Sequence, residues 1–280
     1  MIVYLNKNYS FIEDACISPL DRGFLFSDGV YESIRTYNRK LFQYKDHLER
    51  LKRSLAEIRI DFNEFDSLEK IIYALIEKNK IKNEVLVYLQ ITRGSAFPRT
   101  HKFAETRKNP TLFISVNDLQ SKADKLNKSI KVILQEDLRW LRCDIKSTSL
   151  LPVVLANQKA FEAGAEEAIL VRNGLITEGT HTNFFAVKED TVFTAPLSNL
   201  ILDGITRKVV LGLCNQLKIK VKEEHICMDE LKNYNEFFIT STTKEITPIV
   251  QIDDWEITTG KSGRVTKKLQ SAFTELTENF

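Results

Sequence analysis

The chain has 280 residues, 43% of them hydrophobic, enough for a substantial core in one large domain or two modest ones and too apolar for a disordered chain. Forty basic against 38 acidic residues leave a formal charge of +2, so no strong field favours a nucleic acid or an anionic membrane, and a small-molecule partner is expected. Cys16, Cys143, Cys214 and Cys227 are scattered without a Cys-x-x-Cys pair, which points away from a metal centre and toward free thiols in a reducing compartment. The N-terminus has no basic stretch leading into an apolar core, and no run reaches about 18 apolar residues, so a cytoplasmic location is expected.

Short strand patterns open the chain: IVYL, a turn at Asn6-Lys7-Asn8, SFIE, then VYESIRTY before a turn at Asn38-Arg39, together predicting an antiparallel meander. Leu48, Leu51, Leu55 and Ile58 recur at helical spacing. Asp66 or Ser67 can cap a second helix carrying Leu68, Ile71, Ile72 and Leu75, and both helices should pack on that sheet. EVLVYLQITRG and TLFISVN read as strands separated by a polar, proline-containing loop from Ser95 to Pro110, long enough to be functional. Residues 118–127 are polar and lack an apolar period, which makes them the expected linker between an N-terminal domain over 1–117 and a larger C-terminal domain over 128–280.

The second half begins with the strand SIKVILQ, the segment WLRCDIKSTS, and a helix that Pro152 can start and Gly164 can end. EAILVRNGLITEG reads as a hairpin turning at Asn173-Gly174. NFFAVK and VFTA continue the strands, Gly204 to Gln216 reads as a helix, EFFIT and PIVQI add strands, and Val265, Leu269, Phe273 and Leu276 mark a C-terminal helix. Without strict strand–helix alternation, an α+β class is favoured over a doubly wound parallel sheet.

No Walker loop, HExxH, GxSxG or dinucleotide fingerprint is present. Lys146 stands in CDIKSTSLLP, an apolar and small-residue setting where desolvation would lower its pKa and make the amine nucleophilic toward an aldehyde, although a loop lysine alone is ordinarily a solvated charge. Glu178, at the strand end TEGTHTNFF, could hold a pyridine nitrogen protonated; by itself it equally suits a surface turn. Gly204, Ile205 and Thr206 open a helix whose free N–H groups suit a phosphate, while Asp203 can be read as a plain N-cap. Ser241, Thr242 and Thr243 offer further donors for the same anion, or simply a turn.

Taken together, DRGFLFSDGVYE, ITRG followed by PRTH, EDLRWLRCDIKS, TEGTHTNFF, ILDGITR and TSTTKEITP resemble, in order and spacing over residues 1 to about 275, the fold-type IV pyridoxal-phosphate enzymes, within them the bacterial D-amino acid aminotransferases. The resemblance implies a two-domain α+β fold with pyridoxal 5'-phosphate at the domain interface. It also implies that Lys146 would anchor the cofactor covalently and shuttle the proton of the substrate α-carbon. Glu178 would pair with the pyridine nitrogen, Arg50 would clamp the phosphate with Ile205, Thr206 and Thr242, and Leu202 would pack on the ring. Tyr31, Arg99 and His101 resemble the family's trap for the substrate α-carboxylate, the last two reaching across from a neighbouring subunit, so a homodimer with a composite site is implied. The implied reaction moves the amino group of D-alanine or a similar D-amino acid to 2-oxoglutarate, giving pyruvate and D-glutamate.

Three features depart from the family pattern. Thr180, His181 and Thr182 replace a serine-rich segment; Ser33 and Arg35 stand where an apolar residue and a lysine are familiar; and one extra residue lies between Gly94 and Arg99. The Ile34-Arg35 pair is similar to branched-chain aminotransferases, so an L-branched-chain enzyme is the alternative reading. Aminodeoxychorismate lyase and a non-catalytic phosphate-ligand binding module are weaker ones.

Overall fold

The computed structural model describes residues 1–103, 110–119, 129–257 and 262–280. The chain divides into two compact units, Met1–Ser121 with Ile145–Ser149, and Lys122–Asp144 with Leu150–Phe280. Most of the expected linker, residues 120–127, lies outside the described residues, and Asp118 closes a strand.

In the first unit, β1 (Ile2–Leu5), β2 (Asn8–Phe11), α1 (Arg22–Phe26), β3 (Gly29–Tyr37), β4 (Lys40–Leu41), α2 (Tyr44–Glu57), α3 (Phe65–Lys78), β5 (Val85–Thr92) and β6 (Thr111–Asp118) follow one another. The strands form an antiparallel sheet in the order β2-β1-β6-β5-β3-β4. The opening strands are therefore not a simple meander: the β1–β2 hairpin pairs onto β6, and β3 reaches the sheet through β5. Asn6-Lys7 and Asn38-Arg39 adopt the positive φ that tight hairpin turns require. One sheet face buries Val30, Ile34, Val87, Leu89, Ile91 and Ile114 under Leu51, Leu55, Leu68, Ile72 and Leu75 of α2 and α3. α3 lacks the expected side-chain cap from Asp66 or Ser67: Glu64 precedes it, and Ser67 instead donates from Oγ to the Glu64 carbonyl.

Alternation along β3 and β5 leaves Tyr31, Ser33, Tyr88 and Gln90 half-buried on the other face. Tyr31 and Tyr88 lie ring to ring at 5.7 Å, and a cavity of about 330 Å³ beside them is lined by Tyr88, Gln90, Phe113 and Phe24.

The second unit comprises β7 (Ile130–Glu136), α4 (Leu151–Glu162), β8 (Glu167–Arg172), β9 (Leu175–Gly179), β10 (Asn183–Lys188), β11 (Thr191–Thr194), α5 (Ile205–Gln216), β12 (Val221–Glu223), β13 (Ile226–Cys227), β14 (Glu236–Ser241), β15 (Glu245–Ile252), β16 (Trp255–Glu256) and α6 (Arg264–Glu278). Its sheet runs β12-β11-β10-β14-β15-β7-β8-β9-β13, with β16 on β15. Pairing is mixed: β7 lies parallel to β8 and β15, while β8–β9 and β14–β15 are antiparallel. Phe184, Phe237, Ile169, Ile176 and Ile239 fill its core. Asn173 and Gly174 take positive φ at the β8–β9 turn, as expected, and Pro152 stands in the first turn of α4. These are the features of an α+β chain of two units.

Candidate active site

The expected boundary at residue 128 needs one correction. Ile145–Ser149 belongs to the first unit, because its backbone completes the edge of β3 there. The Tyr31 N–H donates to the Lys146 carbonyl at 3.0 Å, Val30 and Ser147 form a β-bridge, and Thr148 donates from both N and Oγ1 to the Gly29 carbonyl. The Lys146 N–H points to Ser54 Oγ of α2 at 3.4 Å. These contacts fix the lysine's backbone on β3 and α2, and its ammonium sits 4.2 Å above the Tyr31 ring.

Behind Tyr31, the next residue of β3 turns the other way. Glu32 is 1% exposed and receives Arg50 through two parallel N–H bonds of 2.8 Å, from Nε to Oε1 and Nη2 to Oε2, with His47 Nδ1 at 2.7 Å from Oε2. Burial raises the Glu32 pKa, but the charge and hydrogen bonds of Arg50 and His47 outweigh it and hold the carboxyl well below the usual range.

Arg99 and His101 are exposed side chains on the segment that follows β5, with the Arg99 guanidinium 4.4 Å over Phe26 and the His101 ring 5.3 Å from it. Arg22, 5% exposed, anchors that segment by donating to the carbonyls of Thr100, His101 and Lys102, and is itself paired with Asp28 at 2.8 Å. Reading by sequence missed Arg22. An arginine beside Gly23 looks like a turn charge until the fold buries it.

In the second unit Glu178, 5% exposed on β9, receives three donors: Arg139 Nη1, the Leu202 N–H at 3.0 Å and Asn183 Nδ2 at 3.0 Å. Desolvation pushes its pKa up, and Arg139 only partly offsets that. A carboxylate offers about four acceptor positions, and because the Leu202 N–H is shared between Oε1 at 3.2 Å and Oε2 at 3.0 Å, the three donors make four contacts on it. Arg139 was another omission from the sequence reading. Its side chain is clamped to Asp137 by Nε at 2.8 Å and Nη2 at 2.9 Å and reaches the Leu200 carbonyl.

Gly204, rather than Asp203, is the N-cap residue of α5. A Cβ there would fall 1.9 Å from Asn183 Oδ1, so only glycine lets the chain pass so close to the asparagine that bridges Glu178 and the Leu202 carbonyl. Ile205 and Thr206 form the first turn of α5, both buried. Thr242 lies in the β14–β15 turn, flanked by Ser241 Oγ and Thr243 Oγ1 at 3.4 Å, and the neighbouring Thr240 hydroxyl is buried with no partner. His181 packs by Nδ1 against Thr180 Oγ1 at 3.0 Å and Glu167 Oε2 at 3.4 Å. Among the described residues no His, Cys, Asp and Glu cluster could hold a metal, and no helix is long and apolar enough to cross a membrane.

The chain belongs to the amino-transferase class IV family, whose model matches residues 29–252. It is 44% identical over 274 residues to the D-alanine aminotransferase of Bacillus licheniformis, covering 97% of this chain and 95% of that one. It is 39% identical over 272 residues to the D-alanine aminotransferase of Staphylococcus epidermidis, with 97% and 96% covered. Among solved structures, the branched-chain amino acid aminotransferase of Escherichia coli superposes with a TM-score of 0.90 at 25% identity, covering 99% of this chain and 95% of that one. The chain is thus an enzyme of the aminotransferase class, as the motifs had implied.

Proposed function

We propose that this enzyme is a D-amino acid aminotransferase of the D-alanine type, working with pyridoxal 5'-phosphate and passing the amino group of D-alanine to 2-oxoglutarate to give pyruvate and D-glutamate. The observation that carries this reading is the 44% identity, across 97% of the chain, to a protein named D-alanine aminotransferase. The residues present fit the cofactor. Glu178 is a buried carboxylate whose charge Arg139 only partly compensates, a setting that a protonated ring nitrogen would suit. The orphaned Thr240 hydroxyl and the Gly204 passage also lie beside the residues expected at the phosphate.

In this reading Lys146, Arg50, Glu178, Leu202, Ile205, Thr206 and Thr242 are the residues that would hold the cofactor. The bound cofactor supplies an electron sink that makes the substrate α-C–H acidic. Lys146 Nζ holds the cofactor and takes the proton from the α-carbon. Glu178 would hold the ring-nitrogen proton, with the Arg139 charge favouring its carboxylate form. Arg50 and the N–H groups that open α5 bind the phosphate. Tyr31, with Arg99 and His101 of a second copy, would bind the α-carboxylate, and placing that group decides which hand of substrate presents its proton to Lys146.

A homodimer follows from this reading. Support comes from the exposure of Arg99 and His101. It comes also from the apolar side chains that α4 exposes, Leu151 at 69%, Val154 at 57%, Leu155 at 56% and Phe161 at 75%, more than an isolated helix face normally leaves to water. We place the enzyme in the cytoplasm, where its thiols stay reduced. The buried Cys143 and Cys214, each pushed up to about 11 by burial, are poorly reactive.

The deciding experiment mixes purified holoenzyme, in single turnover, with D-alanine or L-leucine and follows the cofactor absorbance. Conversion by D-alanine is expected. Conversion by L-leucine alone assigns the enzyme to the branched-chain class that the solved structures represent.

A further inference from the structure

The three buried polar side chains under β3 form a unit that nothing above employs in full. Glu32, His47 and Arg50 are 1%, 2% and 8% exposed. A guanidinium this deep needs a partner to offset its desolvation, and a carboxylate taking two parallel N–H bonds fixes the guanidinium plane as well as its charge. The pair engages Nε and Nη2 of the guanidinium. His47 Nδ1, 2.7 Å from Oε2, braces the oxygen that also takes Arg50 Nη2.

The same two elements locate the lysine. Tyr31, the residue before Glu32, donates its N–H to the Lys146 carbonyl. Ser54, one helical turn after Arg50 on α2, faces the Lys146 N–H. Glu32 therefore joins β3 to α2 at the level where both elements grip the lysine's backbone.

We infer that Glu32 is a positioning residue for phosphate recognition: its two-pronged bond to Arg50, braced by His47, aims the guanidinium and sets its spacing from Lys146. The inference rests on Arg50 contacting the cofactor phosphate, as proposed above. It makes a counter-intuitive demand, since Glu32 is an anion near a site for an anion. By charge alone, Glu32→Gln should strengthen phosphate binding; if Glu32 acts by aiming Arg50, the same change should weaken it, because one prong of the amide becomes a donor facing a donor.

The test strips the protein of cofactor and titrates it with pyridoxal 5'-phosphate and with pyridoxal, which lacks the phosphate, following tryptophan fluorescence. Glu32→Gln is expected to lower the preference for the phosphorylated form by about tenfold, the scale of one charged hydrogen bond, with pyridoxal affinity little changed. A preference that rises, stays the same, or survives while both affinities fall together overturns the inference. Should Glu32→Gln fail to fold by circular dichroism, His47→Gln, which removes only the brace, decides: a several-fold lower preference supports the inference and an unchanged one rejects it. Arg50→Lys separates the two levels. If it leaves the preference intact, the phosphate role of Arg50 fails; if it lowers the preference while Glu32→Gln does not, only the role of Glu32 fails.

Discussion

Replacing Arg139 by glutamine strips buried Glu178 of its cation and leaves buried Asp137 with Arg172 alone. Asp137 and Glu178 have side chains 0% and 6% exposed, and the arginine donates to both as well as to the Leu200 carbonyl. Breaking a buried ion pair by removing one partner costs about 3–5 kcal/mol. For a chain of this size about 2–4 °C of melting temperature is lost per kcal/mol, so the variant should melt roughly 6–20 °C below the parent at neutral pH.

The pH dependence gives this prediction its edge. Burial raises the Asp137 pKa, but the hydrogen bonds and charge of Arg139 and Arg172 outweigh it and bring the carboxyl down to about 2. Its pairing thus stabilises the fold above the unfolded pKa of about 4 and is lost as pH falls toward 2. Glu178 has the opposite sign. Its raised pKa means the folded state favours the protonated form, so its contribution is fully present below the unfolded value and fades as pH rises through the folded one. Losing Arg139 lifts the Asp137 pKa from its lowered value and raises that of Glu178 further, which penalises the variant at neutral pH and much less once both carboxyls are protonated. Melting curves of parent and variant, both free of cofactor, at pH 7.5 and about pH 4 should therefore show the gap shrinking on acidification. A gap of equal size at both values would refute the reasoning, because it would mean that the arginine acts by packing rather than by charge.

Lys146→Ala should abolish both turnover and the borohydride-stable attachment of the cofactor, read by mass analysis of the digested protein; a labelled peptide elsewhere in the chain would reject the assignment. Gly204→Ala should destabilise the fold by about 1–3 kcal/mol and weaken cofactor binding, since the new methyl displaces Asn183 from Glu178; an unchanged melting temperature would count against that packing. If Arg99 works across a subunit boundary, the inactive Lys146→Ala and Arg99→Ala variants should complement each other. Random exchange makes about half the dimers mixed, each with one intact site, and restores about a quarter of parental activity. No recovery after confirmed exchange means that the site is not composite.

Much of the fold was legible because local chemistry and tertiary structure agree. Period-two runs became β3, β5, β6 and β14, and the apolar helical stripes of α2 and α3 became the cover of the first sheet. The Asn6-Lys7, Asn38-Arg39 and Asn173-Gly174 turns took the positive φ that asparagine and glycine tolerate. What stayed hidden depends on partners distant in sequence. The placement of β1 against β6 brings together segments about a hundred residues apart in register. Short strands such as β12, β13 and β16 are too brief to show a period. Arg22, Glu32, His47, Asp137 and Arg139 are charged or polar types that a linear reading assigns to the surface, yet each is shielded here by paired partners. The return of Ile145–Ser149 to the first unit is equally silent in sequence, because a single bridge and a few backbone bonds carry it.

The backbone cannot be what separates a D-specific from an L-specific member of this family, since a branched-chain amino acid aminotransferase superposes on nearly the whole chain at a TM-score of 0.90. Discrimination must then come from a few side chains acting on one α-carbon, where exchanging the positions of carboxylate and side chain inverts the hand. In the proposed reading Tyr31, beneath the Lys146 ammonium, would supply a donor, and Arg99 and His101 would supply the cation that selects where the carboxylate lies. This argument makes substrate hand separable from chemistry. Arg99→Ala should cost D-alanine turnover far more than it costs covalent cofactor attachment or the spectrum of the resting enzyme, and the loss should appear mainly in KM for both D-alanine and 2-oxoglutarate, which share the α-carboxylate. Equal damage to the resting spectrum would show that Arg99 supports the cofactor rather than choosing the substrate.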